Sequence, residues 1–267
     1  MKLAWVTDLH LNFAAVWQAE ALCREISTSG ADAVLVGGDT AEAGDLEKWL
    51  EFLGRRLPKP LFFVLGNHDF YGGALAEVRE RMEFFVRSRD GFRWLSAEKA
   101  PVRLTAKTCL VGHDGFGDAR HGDHANSTVQ LNDFVLIREL AGLDKPALAK
   151  RLAEEGNRAG YHFRAILPGA LDRYEHIVVL THAPPFREAC WYGGRISDDE
   201  WLPYFTCKAA GDALLEAMRA RPDRRMTVLC GHTHGSGEAH PLPNLHVRTG
   251  GSRYGHPALQ QPLVEVE

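Results

Sequence analysis

Three short apolar runs, Leu3-Ala4-Trp5-Val6, Ala33-Val34-Leu35-Val36 and Leu61-Phe62-Phe63-Val64-Leu65, recur early in the chain, each followed by an amphipathic stretch. Continuous rather than alternating hydrophobicity predicts strands buried on both faces. Residues 14–29 put Val16, Ala19, Leu22 and Ile26 on one face of a predicted helix, and residues 44–56 and 74–88 predict two more. Strands and helices alternating at this spacing argue for an α/β architecture with parallel strands.

The rest of the chain reads less regularly. Residues 102–112 predict two strands joined around Ala106-Lys107. The stretch from roughly 127 to 173 reads as mostly helical, with Asp144 as an N-cap ahead of Lys145-Pro146. Ile177-Val178-Val179-Leu180 predicts a buried strand. Residues 183–206 have no clear period and carry Pro184, Pro185, Gly193, Gly194 and Pro203, and a loop of that length is usually functional. A helix near 208–220, a strand at Met226–Cys230 and short strands near 245–249 and 262–266 complete the reading. No repeat or linker interrupts it, so residues 1–267 are expected to form one domain.

Composition narrows the function classes. Lys+Arg 31 against Asp+Glu 35 gives a formal net charge of -4 with no basic block, so charge does not favour nucleic-acid binding. No apolar run approaches the roughly 18 residues of a membrane span. With a candidate ligand as early as position 8, no removable signal peptide is expected. The five cysteines are odd in number, irregularly spaced and without a C-x-x-C pair. Reduced thiols and a cytoplasmic location are expected.

Five clusters follow predicted strands: Asp8-x-His10, Gly37-Gly38-Asp39, Gly66-Asn67-His68-Asp69, His182, and Gly231-His232-Thr233-His234. Extended backbone would point Asp8 and His10 to one side, toward one ion. The two glycines before Asp39 permit a tight turn, and a carboxylate there can bridge two ions or cap the next helix. Alternation could send His232 and His234 to different ions. Singly, each cluster also reads as a capped turn or a satisfied histidine. Together they place metal-ligating groups at the carboxyl ends of strands, where open α/β sheets bind ligands. One ion takes about four to six ligands, so this number points to two ions.

The ordered set D-x-H, G-D, G-N-H-D, H and G-H-x-H resembles the calcineurin-like metallophosphoesterase family, with motifs running from Asp8 to His234. The resemblance implies a four-layer α/β/β/α sandwich of two mixed sheets flanked by helices. It implies that Asp8, His10 and His234 hold one divalent ion, that Asn67, His182 and His232 hold the second, and that Asp39 bridges them. His68 would be the catalytic general acid, with Glu42 as its orienting partner. Mixed N/O ligands suit Mn²⁺, Fe²⁺/Fe³⁺, Zn²⁺, Co²⁺ or Ni²⁺. Two such ions would generate a bridging hydroxide and neutralise phosphoryl charge, the chemistry of a phosphate mono- or diester hydrolase.

Departures from the family narrow the substrate. Its protein serine/threonine phosphatases resemble G-D-x-x-D-R-G and R-G-N-H-E, and both arginine positions are apolar here, as Ala43 and Leu65. A small molecule or nucleotide is therefore expected over a phosphoprotein. Arg120, Arg187, Trp191, Tyr192 and Arg195 are candidates for shaping the substrate pocket, and His113, His121 and His124 are expected outside the ligand set. The alternatives are a nuclease of the same superfamily and a non-catalytic scaffold, the latter disfavoured by the intact ligand set.

Overall fold

In strand β1 (Lys2–Val6), Ala4 and Val6 pack among helices, whereas Leu3 and Trp5 face a second sheet. The same division runs through the molecule and explains why its central strands are largely apolar. The computed structural model describes the whole chain, Met1–Glu267. After β1 come α1 (Val16–Thr28), β2 (Ala33–Gly37), α2 (Leu46–Arg56), β3 (Leu61–Val64), α3 (Leu75–Arg87), β4 (Phe92–Trp94), β5 (Val102–Arg103) and β6 (Thr108–His113). The second part holds α4 (Asp133–Leu136), α5 (Lys145–Arg173), β7 (His176–Thr181), β8 (Trp191–Tyr192), β9 (Arg195–Ile196), α6 (Leu202–Phe205), α7 (Lys208–Ala220), β10 (Arg225–Cys230), β11 (Gly237–Leu242), β12 (Leu245–Thr249) and β13 (Val264–Glu265).

The first sheet has the order β13-β1-β2-β3-β4, with β1 to β4 parallel and β13 antiparallel at its edge. The second has the order β11-β12-β10-β7-β6-β5, parallel at its centre and antiparallel at both edges. Leu3, Trp5, Leu35 and Phe62 meet Leu110, Val178, Leu180 and Leu229 in an apolar layer between the sheets. The outer face of the first sheet packs on α1, α2 and α3 through Ile26, Leu50 and Phe85. That of the second packs on α5 and α7 through Phe163, Leu167 and Leu214. The central strands thus bury both faces, and the layers stack as the expected α/β/β/α sandwich.

Three details differ from the sequence reading. Between residues 127 and 144 only α4 is helical, because Ser127-Thr128-Val129-Gln130 lacks an apolar stripe and its polar side chains bond elsewhere. Strand β11 escapes notice because it is a half-exposed edge strand containing Pro241, which only an edge tolerates. Residues 183–206 are not bare loop: they carry the hairpin β8–β9 and α6. All five cysteines are buried and unbonded, and no helix is long and apolar enough to cross a membrane.

Candidate metal centre

The loops leaving β1 and β2 run side by side, joined by Asp8 N to Gly38 O at 3.0 Å and His10 N to Asp39 O at 2.9 Å. Six non-glycine residues have positive φ: Asp8 (51°), His10 (43°), Asp39 (52°), Ala119 (58°), His232 (69°) and His234 (58°). Five of the six belong to the expected ligand set. A strained backbone of this kind costs on the order of 1–3 kcal/mol per residue and gathers at functional sites. The expectation that extended backbone aligns Asp8 with His10 is thus corrected: left-handed turns do so.

Two groups of ligand atoms result. Asp8, His10, Asp39 and His234 form one, and Asp39, His182 and His232 the other, each with all its atoms within 4.8 Å of one another. Asp39 belongs to both. Its Oδ2 lies 3.7 Å from His10 Nε2 and its Oδ1 lies 3.4 Å from His182 Nε2, so its two oxygens face different groups. It does not cap α2, whose N-cap is Asp45. His10 Nε2 approaches His234 Nε2 at 3.0 Å, and His234 Nε2 lies 3.5 Å from Asp8 Oδ1.

Protonation decides what such a cluster can hold. His182 Nδ1 donates to the Gly37 carbonyl at 2.8 Å, and burial lowers this imidazole's pKa to about 3, so the ring is neutral and Nε2 carries a lone pair. That lone pair faces Asn67 Oδ1 at 3.2 Å and Asp39 Oδ1 at 3.4 Å, both of them acceptors. His68 N also donates to this Asp39 oxygen at 2.8 Å, but no donor stands between His182 Nε2 and Asn67 Oδ1, and acceptors gathered in this way suit a cation. Burial likewise lowers His10 to about 2 and pushes Asp8 up to about 7, against the opposing hydrogen bonds from Thr7 and His232. Asp39 is raised, first by burial and then by Asp8. Neutral imidazoles and buried carboxylates without a local Lys or Arg are the donor set of a divalent-metal site.

Several supporting groups were not singled out from sequence. Asp69 is fully buried and accepts from Thr40 N, Ala41 N and Gly66 N at 2.8–3.0 Å, locking the loops after β2 and β3 together. Its place beside His68 in a strand-end motif was an available signal. Asp114 accepts from Leu65 N, Trp94 Nε1 and Ser96 Oγ, tying the strand β6 exit to the first sheet. Tyr71 lies two residues beyond the Gly66–Asp69 motif, whereas Asp133 and Tyr254 arrive from segments without any local signature.

His68 stacks on Tyr71 with centroids 4.1 Å apart, and its Nε2 lies 3.4 Å from the Tyr254 hydroxyl. Its Nδ1 is buried without a partner, so Glu42 does not orient the ring, contrary to expectation. Burial, aided by His232 and His234, lowers the His68 pKa to about 3.

A cleft of about 630 Å³ opens over the groups, lined by Asp39, Asn67, His68, His232 and His234 among others. Tyr192 and Arg195 line it; Arg120, Arg187 and Trp191 do not. Arg120 is held by the buried carboxylate of Asp118 at 3.0 Å and by Asn157, and Arg187 pairs with Asp199. Trp191 packs against Gly235 and Gly237. His113 is buried beside His162, His121 bonds Thr206 and His124 the Lys145 carbonyl, all outside the ligand groups. A third grouping, Glu238, His240 and His246, lies on the β11–β12 hairpin, on the face opposite Ala239, Leu245 and Val247.

Two sheets with a bipartite histidine–aspartate centre at their strand ends define a metal-dependent phosphoesterase. The chain belongs to the calcineurin-like phosphoesterase family, whose model matches residues 1–236. No curated protein matches the sequence. Among solved structures, the phosphopantetheinyl hydrolase of Mycobacterium tuberculosis is similar at a TM-score of 0.61 and 17% identity, over 98% of this chain and 96% of that one. A dimetal phosphatase from Danio rerio is similar at a TM-score of 0.57 and 13% identity, over 94% and 87%. At these identities the two neighbours speak to fold alone.

Proposed function

We propose that this chain hydrolyses phosphate mono- or diesters of small molecules or nucleotides at a two-metal centre. Asp8, His10 and His234 would hold one ion, Asn67, His182 and His232 the other, with Asp39 between them. The carrying observation is Asp39 itself, a buried carboxylate whose two oxygens face separate ligand groups. Bound there, two divalent ions would activate water and neutralise phosphoryl charge. Mn²⁺, Fe, Zn²⁺, Co²⁺ and Ni²⁺ all suit the donors.

The protein's own groups do the rest. Asn67 is turned by Asp133 so that its carbonyl oxygen faces the centre. His182 is fixed in one tautomer by Gly37 O. His68, at the cleft wall, is the proton donor to the leaving alkoxide. Its ring is neutral when the site lacks an anion, and a bound phosphate raises its pKa toward the working range. A small-molecule substrate is supported by the absence of arginine at Ala43 and Leu65.

The test is elemental analysis combined with hydrolysis of mono- and bis-p-nitrophenyl phosphate on one metal-loaded sample. About two metals per chain with turnover is expected from such a centre. Counting is repeated on the His240→Ala, His246→Ala double variant, which keeps the exposed trio out of the stoichiometry. Fewer than one metal after Mn²⁺ loading overturns the reading.

A further inference from the structure

The hairpin β8–β9 has the sequence Trp191-Tyr192-Gly193-Gly194-Arg195-Ile196. Gly193 and Gly194 take φ of 56° and 77°, the left-handed pair that a two-residue hairpin turn requires. Tyr192 registers against Arg195 across this turn, so the two side chains leave the hairpin on one face. Both line the cleft. The base of the hairpin is fixed: Trp191 fills the space where Gly235 and Gly237 lack a Cβ, and Ser197 N donates to Cys190 O at 2.9 Å.

Arg195 is the one lysine or arginine among the residues lining the cleft. Its side chain is exposed and makes no ion pair or hydrogen bond, whereas Arg187 and Arg120 are each engaged by an aspartate. The ligand groups are buried; Arg195 therefore meets whatever projects outward from them. Aromatic rings lead the same way. Phe205 stacks on His232 at 4.5 Å between centroids, and Trp201 packs on Phe205 at 5.8 Å. Trp201 remains 43% exposed and Tyr192 65% exposed, so both rings stay partly bare where they line the cleft. Large aromatics left bare beside an unpaired guanidinium mark a binding surface for a planar, anionic partner. The cleft volume falls within the range of about 300–1,000 Å³ that small ligands occupy.

We propose that Tyr192, Arg195 and Trp201 form a recognition subsite for phosphoesters of the nucleoside diphosphate type. The base stacks on Tyr192 and Trp201, and the phosphate remote from the bond being cleaved pairs with Arg195. The inference rests on the phosphoesterase reading above and names its substrate class.

Calorimetric binding of ADP, AMP and ribose 5-phosphate to the Mn²⁺-loaded protein tests it without needing turnover. ADP is expected to bind about 5- to 10-fold more tightly than AMP, the size of one charge-assisted contact at a partly exposed site. Arg195→Ala abolishes that ratio and Arg195→Lys restores part of it. Chelation of metal by the diphosphate is common to all three proteins and cancels. AMP is expected to bind about tenfold more tightly than ribose 5-phosphate, a gap that Tyr192→Ala and Trp201→Ala narrow. An ADP-to-AMP ratio that Arg195→Ala leaves unchanged overturns the subsite. Normal ratios with no hydrolysis of bis-p-nitrophenyl phosphate would instead overturn the phosphoesterase reading and leave the subsite standing.

Discussion

Asn67 donates its amide N–H to the buried carboxylate of Asp133 at 2.8 Å, which leaves its carbonyl oxygen turned toward His182. The same Asp133 oxygen accepts the Tyr71 hydroxyl at 2.5 Å, and Tyr71 carries the His68 ring on its face. One carboxylate outside every motif therefore orients both a candidate ligand and the candidate proton donor.

Replacing Asp133 with Ala frees the Asn67 amide to rotate its nitrogen toward the centre. Loss of such a supporting contact typically costs about 10- to 100-fold in metal affinity or activity. Metal retained after dialysis, together with kcat and KM for bis-p-nitrophenyl phosphate, measures it. The expected pattern is loss of metal with the fold intact by circular dichroism.

Asp39 and His68 should fail in different ways. Asp39→Ala removes the one carboxylate shared by both ligand groups and is expected to empty both positions. His68→Ala is expected to keep its metals and lose about 10²–10⁴-fold in turnover of a substrate with a poor leaving group. A nitrophenolate of low pKa needs little protonation, so an alkyl phosphodiester is the substrate that separates the two. Full turnover of that ester by His68→Ala would remove the proton-donor role.

Chelation should lower the melting temperature. Ligation stabilises the folded state by about 4 kcal/mol when metal is present at a thousand times its Kd. The five left-handed ligand residues lose that compensation when the metals leave. Calorimetric scans with and without chelator give the shift, and an unchanged midpoint would show that the folded chain binds no metal.

Away from the centre, His176 gives a pH dependence. Burial, with Arg225 nearby, lowers its pKa to about 4 from 6.5. The unfolded chain therefore binds a proton between pH 6.5 and 4 that the folded chain does not. Its contribution is complete above pH 6.5 and is lost as pH falls toward 4, with uptake of up to about one proton on unfolding. His176→Gln, which keeps a polar group near the Thr227 hydroxyl, is expected to flatten the slope of stability against pH in that window.

The chain's local chemistry carried much of this in advance. Asp8, His10, Asp39, His182, His232 and His234 were legible because each follows an apolar run, and strand ends of an α/β sheet share one rim. The sandwich was legible through its central strands, which are apolar on both faces. Asp133 was not, since its meaning lies in a pairing 66 residues away with Asn67. Tyr254, from a segment without regular structure, likewise reaches His68 only through the tertiary fold. Arg120 misled because a guanidinium after a glycine-rich stretch resembles a phosphate grip, while the buried charge of Asp118 claims it. Glu42 was carried over from a family subset, whereas here the ring's one hydrogen-bond contact is Nε2 with the Tyr254 hydroxyl.

Asp8, His10, Asp39 and Asn67 leave the first sheet, whereas His182, His232 and His234 leave the second. Each ligand group thus draws on both sheets, and each sheet comes largely from its own continuous part of the chain, the two meeting between β4 and β5. A polypeptide severed there would yield two fragments, neither owning a complete set of ligands. Strand β13, encoded by the second fragment but paired with β1 of the first, would be the handle for re-association. Metal uptake would then report the moment at which two inert pieces become one enzyme.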